Sequence, residues 1–343
     1  MRTLLYLWSV CLFSACSTIE YVGIETYNPA EITFPKSVSK VLIVNNAVPQ
    51  PANAGYTYTL YGVRQDTARA EADSALFDAC HSLGKTIMDN AFFEDVLLYH
   101  DETRKDNKYL TDEKLTQGAI DKLCDETGTD AVISFDRLVF LMDKDVRAFS
   151  GNFVSGTIDV KINGVVRSYL PGREGPLATV YMEDSIAWSE AVDNMEILKQ
   201  YLPSPDEALR AAGQYIGTKV TPNFVPHWEK ESRWFFKGEG ARWKEATAYA
   251  TADKWEEAAV RWRQIYGNSS KWKEQAKAAS NLALVYEMNT ELEKAFDWAS
   301  KSYNLFKKNK GDDYNYTKMQ KLYMEALAQR IRSNQKLNKQ IGQ

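Results

Sequence analysis

Histidine is almost missing from the 343-residue chain. His81, His100 and His227 are the only three, widely separated and in no His-x-x-x-His or Glu-x-x-His pair. That spacing offers no helix-borne metal site and no histidine base beside a nucleophile. Cysteine is scarce, at four residues, which excludes a dense disulfide framework and a cysteine-rich zinc module. Lysine and arginine form no long run, and 42 of them against 46 acids leave a net charge of -4. Nucleic acid is therefore not expected as a partner. Only one stretch, near the N-terminus, is continuously apolar, so a multi-span membrane protein is excluded. With 44% hydrophobic and 26% charged residues, the composition is that of a folded globular chain, long enough for two domains.

What is present begins with Met1-Arg2-Thr3 and an apolar run from Leu4 to Phe13. About ten apolar residues are too few to span a bilayer but suit the core of a signal peptide. Phe13-Ser14-Ala15-Cys16 resembles the bacterial lipobox, with Phe where Leu is usual. The resemblance implies removal of residues 1–15 and acylation of Cys16, palmitate included, so that a lipid on Cys16 makes the membrane a partner. Ser17 rather than Asp implies the outer membrane. The weakly acidic Ser17-Thr18-Ile19-Glu20 implies a periplasm-facing rather than surface-exposed protein, in the cell envelope in either case. Strand-like alternation starts by Tyr21, so the tether is short, about 15 Å at most.

Residues 16–225 read as an α+β domain, a mixed α/β sandwich. Lys40–Asn45 is a buried-strand pattern, followed by a loop to Tyr61. A long helix is expected from Thr67 to Ala91 and a strand from Phe93 to Tyr99. A further helix is expected to be capped by Thr111, with Asp112 and Glu113 in its first turn and its end at Gly128. A third strand starts at Asp130. Ile158–Ile162, Asn163-Gly164 and Val165–Leu170 read as a hairpin; a strand over Ala178–Ala187 and a helix opened by Pro205 complete the domain. Phe92-Phe93-Glu94-Asp95-Val96 and Gly128-Thr129-Asp130-Ala131-Val132-Ile133 resemble the envelope domain shared by the TolB N-terminal region, the curli-secretion lipoprotein and the penicillin-binding-protein activator lipoproteins. That resemblance implies a binding or assembly module. Cys80 and Cys124 fall at apolar helix positions, and the sequence leaves both a disulfide and two buried thiols open.

Residues 226–240 read as a linker, after which the chain turns to Ala-, Lys-, Glu- and Trp-rich helical sequence. Ala246, Tyr249, Ala258 and Trp262 recur as Ala283, Tyr286, Ala295 and Ala299, each displaced by the same interval (283 − 246 = 37). Such repetition marks an α-solenoid. Lys254-Trp255-Glu256-Glu257-Ala258 and Glu291-Leu292-Glu293-Lys294-Ala295 resemble the second-helix start of tetratricopeptide repeats, giving an all-α tetratricopeptide-like domain over 241–343. Tyr316–Gln340 is expected to cap its exposed end. The groove between the Ala246 and Ala283 helices is the expected seat of a protein or peptide partner; its rival is a groove filled by the chain itself. Trp228, Trp234, Phe235 and Phe236 are expected to join this unit to the α/β body.

Chemical motifs are few. Ala79-Cys80-His81-Ser82-Leu83-Gly84-Lys85-Thr86 matches a loose P-loop, but its amides belong to a helical pattern and cannot cradle phosphate. Ser37-x-x-Lys40 and Ser82-x-x-Lys85 lack the companion motifs of a penicillin-binding enzyme. No catalytic, cofactor-binding or metal-ligating residue is assigned, and neither a cofactor nor a nucleotide is expected. Together with Val41-Leu42-Ile43-Val44-Asn45-Asn46, the whole resembles a Bacteroidales lipoprotein family of unknown function. The expectation is a membrane-anchored, non-enzymatic binding or assembly adaptor. An envelope hydrolase acting on glycan or peptide and an oligomeric secretion-associated lipoprotein are the alternatives.

Overall fold

A computed structural model describes residues 18–65, 69–101, 103–149 and 153–342. In chain order the strands are β1 (Ile19–Asn28), β2 (Lys40–Asn45), β3 (Tyr56–Leu60), β4 (Val63–Arg64), β5 (Asp95–Leu98), β6 (Ala131–Ala148), β7 (Val154–Tyr169), β8 (Ala178–Val192) and β9 (His227–Phe236). The helices are α1 (Asp73–Asn90), α2 (Gln117–Thr127), α3 (Met195–Tyr201), α4 (Pro205–Val220), α5 (Ala241–Thr251), α6 (Trp255–Asn268), α7 (Trp272–Met288), α8 (Leu292–Lys310) and α9 (Asn315–Ile341). The fold is α+β followed by an all-helical region. Two compact units divide it: residues 18–28 with Trp228–Lys336, and Pro29–His227 with the chain from Leu337 onward.

The α/β unit is built on a seven-stranded sheet. β2 lies between β5 and β6 and is parallel to both; β6, β7 and β8 form an antiparallel meander. The crossovers β2–α1–β5 and β5–α2–β6 run in opposite directions along the sheet. Right-handed crossovers then put their helices on opposite faces. Alternation along β2 records the result: Val41 and Ile43 join the α1–α4 core, whereas Leu42 and Val44 join Ile120, Leu123 and Cys124 of α2. Cys80 and Cys124 therefore belong to cores on opposite faces of the sheet. Both are free buried thiols, and burial pushes Cys80 up to about 12.

Several elements differ from their sequence reading. Helix α1 begins at Asp73, not Thr67, which lies outside the described residues. The amides of Ala70 and Glu71 bond to the Ala52 carbonyl and the Asp206 carboxylate instead of opening a helix. The cap of α2 is Thr116, whose Oγ1 accepts from Ala119 N at 3.3 Å; Thr111 lies in the preceding loop. Asn163-Gly164 does not turn, because β7 runs straight through it. Asn163 Oδ1 accepts from Arg137 at 2.7 Å. A Cβ on Gly164 would meet Met182 at 2.6 Å and the Arg137 carbonyl at 3.1 Å. This glycine serves close approach opposite the β6 irregularity at Phe135/Arg137.

Two further glycines set the α1–α4 contact. A Cβ on Gly213 or Gly217 would clash with the backbone carbonyls of Ala75 or Ala79, and backbone cannot rotate aside. Gly217→Ala is expected to cost about 2 kcal/mol or more, as overpacking does. Gly118 in α2 has open space around its Cβ position, so Gly118→Ala should be neutral or stabilising by up to about 1 kcal/mol. Urea midpoints of the two variants check both signs.

Candidate functional site

In open α/β sheets ligands are taken in the crevice beyond the carboxyl ends of strands whose crossovers leave to opposite faces. Here that place is the end of β2, at Asn45 and Asn46, and the chain itself fills it. Thr103 Oγ1 donates to the Asn45 carbonyl at 3.0 Å and to Asn46 Oδ1 at 2.8 Å. Asn46 Nδ2 donates to the Glu113 carbonyl at 2.8 Å and to Asp136 Oδ1 at 3.1 Å. Arg167 Nη1 donates to the Asp112 carbonyl at 2.9 Å and to Asp136 Oδ2 at 2.8 Å, and its other nitrogen holds the Asp112 carboxylate. Asp112 and Glu113 thus pin the loop before α2 rather than charging that helix's first turn.

Asp136 is wholly buried. It accepts from Ser134 Oγ at 2.8 Å and Tyr169 Oη at 2.6 Å in addition to Asn46 and Arg167. Burial pushes its carboxyl up, while Tyr169, Arg167, Ser134 and Asn46 pull the other way. Burial works against the Arg167 charge, but Asp136 and Asp112 more than restore it. Burial first and Asp136 second raise the Tyr169 hydroxyl, which stays a donor. Each oxygen of Asp136 already has two donors, so the carboxylate is a structural clamp with nothing left for a metal. Ala79–Thr86 lies wholly inside α1, where its amides belong to the helix.

The helical unit fills part of its own groove in the same way. Successive helices pack α5 on α6, α6 on α7 and α7 on α8. Ala246 (α5), Ala258 and Trp262 (α6), Ala283 (α7), and Ala295 and Ala299 (α8) are all fully buried; Tyr249 and Tyr286 pack against the clusters as half-buried side chains. On α9, Tyr323 and Leu327 join Ala283, Ala295 and Ala299. The stretch read as a linker is largely strand β9, which runs along α7 and pairs with β1. Asn281 holds the Phe236 backbone at both ends, accepting its N–H at 2.7 Å and donating to its carbonyl at 2.8 Å. The wholly buried Glu287 carboxylate takes Arg233 Nη2 at 2.9 Å, Tyr323 Oη at 2.7 Å and Arg330 Nη1 at 2.6 Å.

Strand alternation sends Phe235 into the cluster of Ala246, Trp262 and Leu282 and sends Trp234 against the Ala283–Tyr323 cluster. Phe235, with Ile24 of β1 in the same cluster, therefore fills part of the space between the Ala246 and Ala283 helices. Near the helix starts that space stays open, between Trp243, Lys244 and Thr247 of α5 and Lys273, Glu274 and Lys277 of α7. Phe235 and Phe236 are core of the helical unit and Trp234 packs half-buried against it, while Trp228 is exposed, its ring tilted against Tyr27 with centres 5.0 Å apart. The anchor position Cys16 lies outside the described residues.

What stays open is of three kinds. A cavity of about 890 Å³ in the helical unit is walled by Trp243 and by Lys237, Lys244, Lys271, Lys273 and Lys277. A cleft of about 490 Å³ on the sheet holds Asp143 and Asp159, direct partners across β6 and β7, with Lys161 and Arg64. Thr57 Oγ1 donates to Asp143 at 2.5 Å. Finally, β8 is paired with β7 along its length and with no other strand among the described residues. None of these was legible in the sequence, because each is assembled from separate segments. Among the described residues no group of three His, Cys, Asp or Glu could hold a metal, and no helix is long and apolar enough to cross a membrane.

A family model, "Domain of unknown function (DUF8603)", matches residues 38–236, more than half of the chain. The chain belongs to the DUF8603 family. A second model, "Domain of unknown function (DUF6340)", matches residues 244–329, which fall within α5 to α9. No curated protein matches the chain. The DUF8603 match ends at Phe236, the residue that Asn281 clamps, so the family boundary includes the strand that plugs the helices.

Removing one partner of a buried ion cluster is far costlier than its net value, because the remaining charges are left unpaired. Glu287→Ala, which strands Arg233 and Arg330, is expected to cost about 3–5 kcal/mol. Asn281→Ala leaves a buried N–H and C=O without partners and should cost about 2–4 kcal/mol. Urea unfolding measures both, and hydrogen exchange should show the Phe236 amide opening fastest in Asn281→Ala.

Proposed function

We propose that this DUF8603 protein is a Bacteroidales-type envelope lipoprotein, anchored through a lipid on Cys16 to the outer membrane and acting as a non-enzymatic binding or assembly adaptor. The observation that carries the reading is where the chain goes after Cys16. Three residues on, it enters β1, which is strand-paired with β9 and contributes Ile24 to the helical core. A lipid on Cys16 would therefore hold the helical unit at the membrane. A single acyl chain anchors weakly, and the several chains of a bacterial lipoprotein anchor firmly. The likeness of α5–α8 to tetratricopeptide repeats supports an interaction role, but β9 fills part of their groove, and we place the protein partner elsewhere. The long open edge of β8 is the surface we assign to it, since an unpaired edge accepts an extended segment by strand addition.

Residue Tyr181, exposed at 74%, provides the reporter. Cys16→Ser should move the protein from the membrane to the soluble periplasmic fraction; unchanged membrane association would refute the anchor. A photo-crosslinker at Tyr181 should capture one discrete envelope protein that a crosslinker at Leu322 on α9 does not. Equal capture from both positions would remove β8 as the partner surface.

A hydrolase is the second reading, favoured by the Asp143–Asp159 pair in its cleft, since two carboxylates flanking a bond are what glycoside cleavage requires. Under the adaptor reading Asp143→Asn leaves partner capture unchanged and no glycan or peptide library member is turned over. Turnover abolished by that variant would reverse the ranking. For the secretion-pore reading, β6–β8 are strands of 15–18 residues, longer than the short arms the sequence suggested. Their apolar face, with Ile158, Val160 and Ile162, is covered by the α1 and α4 core and is not free to meet lipid.

A further inference from the structure

We propose that the lysine-walled cavity of the helical unit seats the phosphate of an anionic membrane lipid headgroup. The inference deepens the anchored reading and rests on it. Thr18 forms part of the cavity wall, two residues from Cys16. Two extended residues reach at most about 7 Å, so an acylated Cys16 would hold the cavity mouth at headgroup depth, where lipid phosphate is concentrated.

The cavity is built for an anion. Five lysines face two glutamates, Glu239 and Glu274. Glu274 is already engaged by Ser269 at 2.8 Å and Lys271 at 3.2 Å, and Lys237 by Glu20 at 3.3 Å. The ammonium groups of Lys244 and Lys273 have no hydrogen-bond or ion-pair partner among the described residues. Lys277 is almost wholly covered and donates only to the Lys237 carbonyl at 3.1 Å, with its charge 5.6 Å from the Phe236 ring centre. Burial, and then the charge of Lys273, push its ammonium below the ordinary lysine value.

Placement along the helices makes the same point. Helices α5 and α7 start at Gly240 and Lys271 without a side-chain cap. The positive end of a helix dipole disfavours nearby lysine, yet Lys244 stands near the start of α5, which has no acid in its first turn; Lys273 stands near that of α7, where Glu274 offsets it. A bound phosphate complements the start of α5 and accepts first-turn amides there. Two wall residues one turn apart on α5 carry buried polar atoms without a partner, Trp243 Nε1 and Thr247 Oγ1. Trp243 is only 3% exposed, and its indole gives the cavity an apolar wall for the glycerol end of a lipid. The volume lies in the range of small-molecule sites, about 300–1,000 Å³.

The test uses the full mature chain carrying Cys16→Ser, so that vesicle binding is read independently of acylation in the cell. Failure of the anchor is scored by fractionation of the native chain, and failure of the seat by the vesicles. Sedimentation with phosphatidylcholine vesicles containing phosphatidylglycerol should be roughly tenfold stronger than with phosphatidylcholine alone, and salt should weaken it. Lys244→Gln with Lys273→Gln should lose roughly fivefold or more of that binding at unchanged Tm. The control pair Lys308→Gln with Lys321→Gln should keep it. Equal binding to both vesicle types, or a Lys244/Lys273 variant that binds like the parent, overturns the proposal. Binding of inorganic phosphate that protects Lys273 from acetylation, without any vesicle preference, would reassign the cavity to a free phosphate.

Discussion

Everything in the helical unit depends on one contact, the side chain of Asn281 holding both backbone groups of Phe236. A strand laid against helices has no ladder on that side, and its N–H and C=O groups would otherwise be buried without partners. An amide side chain is the one neutral group that can donate and accept at once in the required spacing. With Phe236 fixed, Phe235 and Trp234 fall on opposite sides of the strand, and each completes a different helix cluster. Two short helical repeats cannot bury their own faces. Here the missing apolar surface is supplied by β9, by Ile24 of β1 and by α9.

The α/β unit solves a comparable problem with charge. Its topology leaves an opening at the end of β2, and the loop before α2 closes it through Arg167, Asp136, Asp112 and Asn46. A buried ion pair of this kind contributes little net stability against an apolar equivalent, but it punishes any alternative in which one partner is lost. It therefore specifies where the loop must lie. The two units share a logic: part or all of the place where each architecture would usually admit a ligand is occupied by a segment of the same chain. The lysine cavity, the sheet cleft and the β8 edge remain open.

Much of the organisation was legible in the sequence. The apolar patterns of β2 and β6, the Pro205 start of α4, the Ala/Tyr/Trp repetition and the terminal helix each carry their signal within a few dozen residues. The errors arose where a local signal served a distant contact. Asn163-Gly164 has turn chemistry, yet Asn163 bonds across to Arg137 and Gly164 makes room for Met182. Asp112 and Glu113 have the look of a helix start, yet they bond to Arg167 and Asn46. Pro226 and Gly238 bracket what reads as a linker, yet the aromatics between them are core.

By itself, the sequence determined the class of most of the longer elements and the two-part organisation, because helical and strand periodicity and capping are properties of neighbours along the chain. It also excluded a histidine- or cysteine-based metal site of the usual spacing. Only the tertiary structure decided that β1 belongs with the helices, that β9 fills part of the repeat groove, that Cys80 and Cys124 lie in cores on opposite faces of the sheet, and that five lysines surround one cavity. Each of these is a meeting of segments tens to hundreds of residues apart. Such meetings are set by which faces can be buried and which polar groups satisfied together, and no short stretch of sequence contains that information.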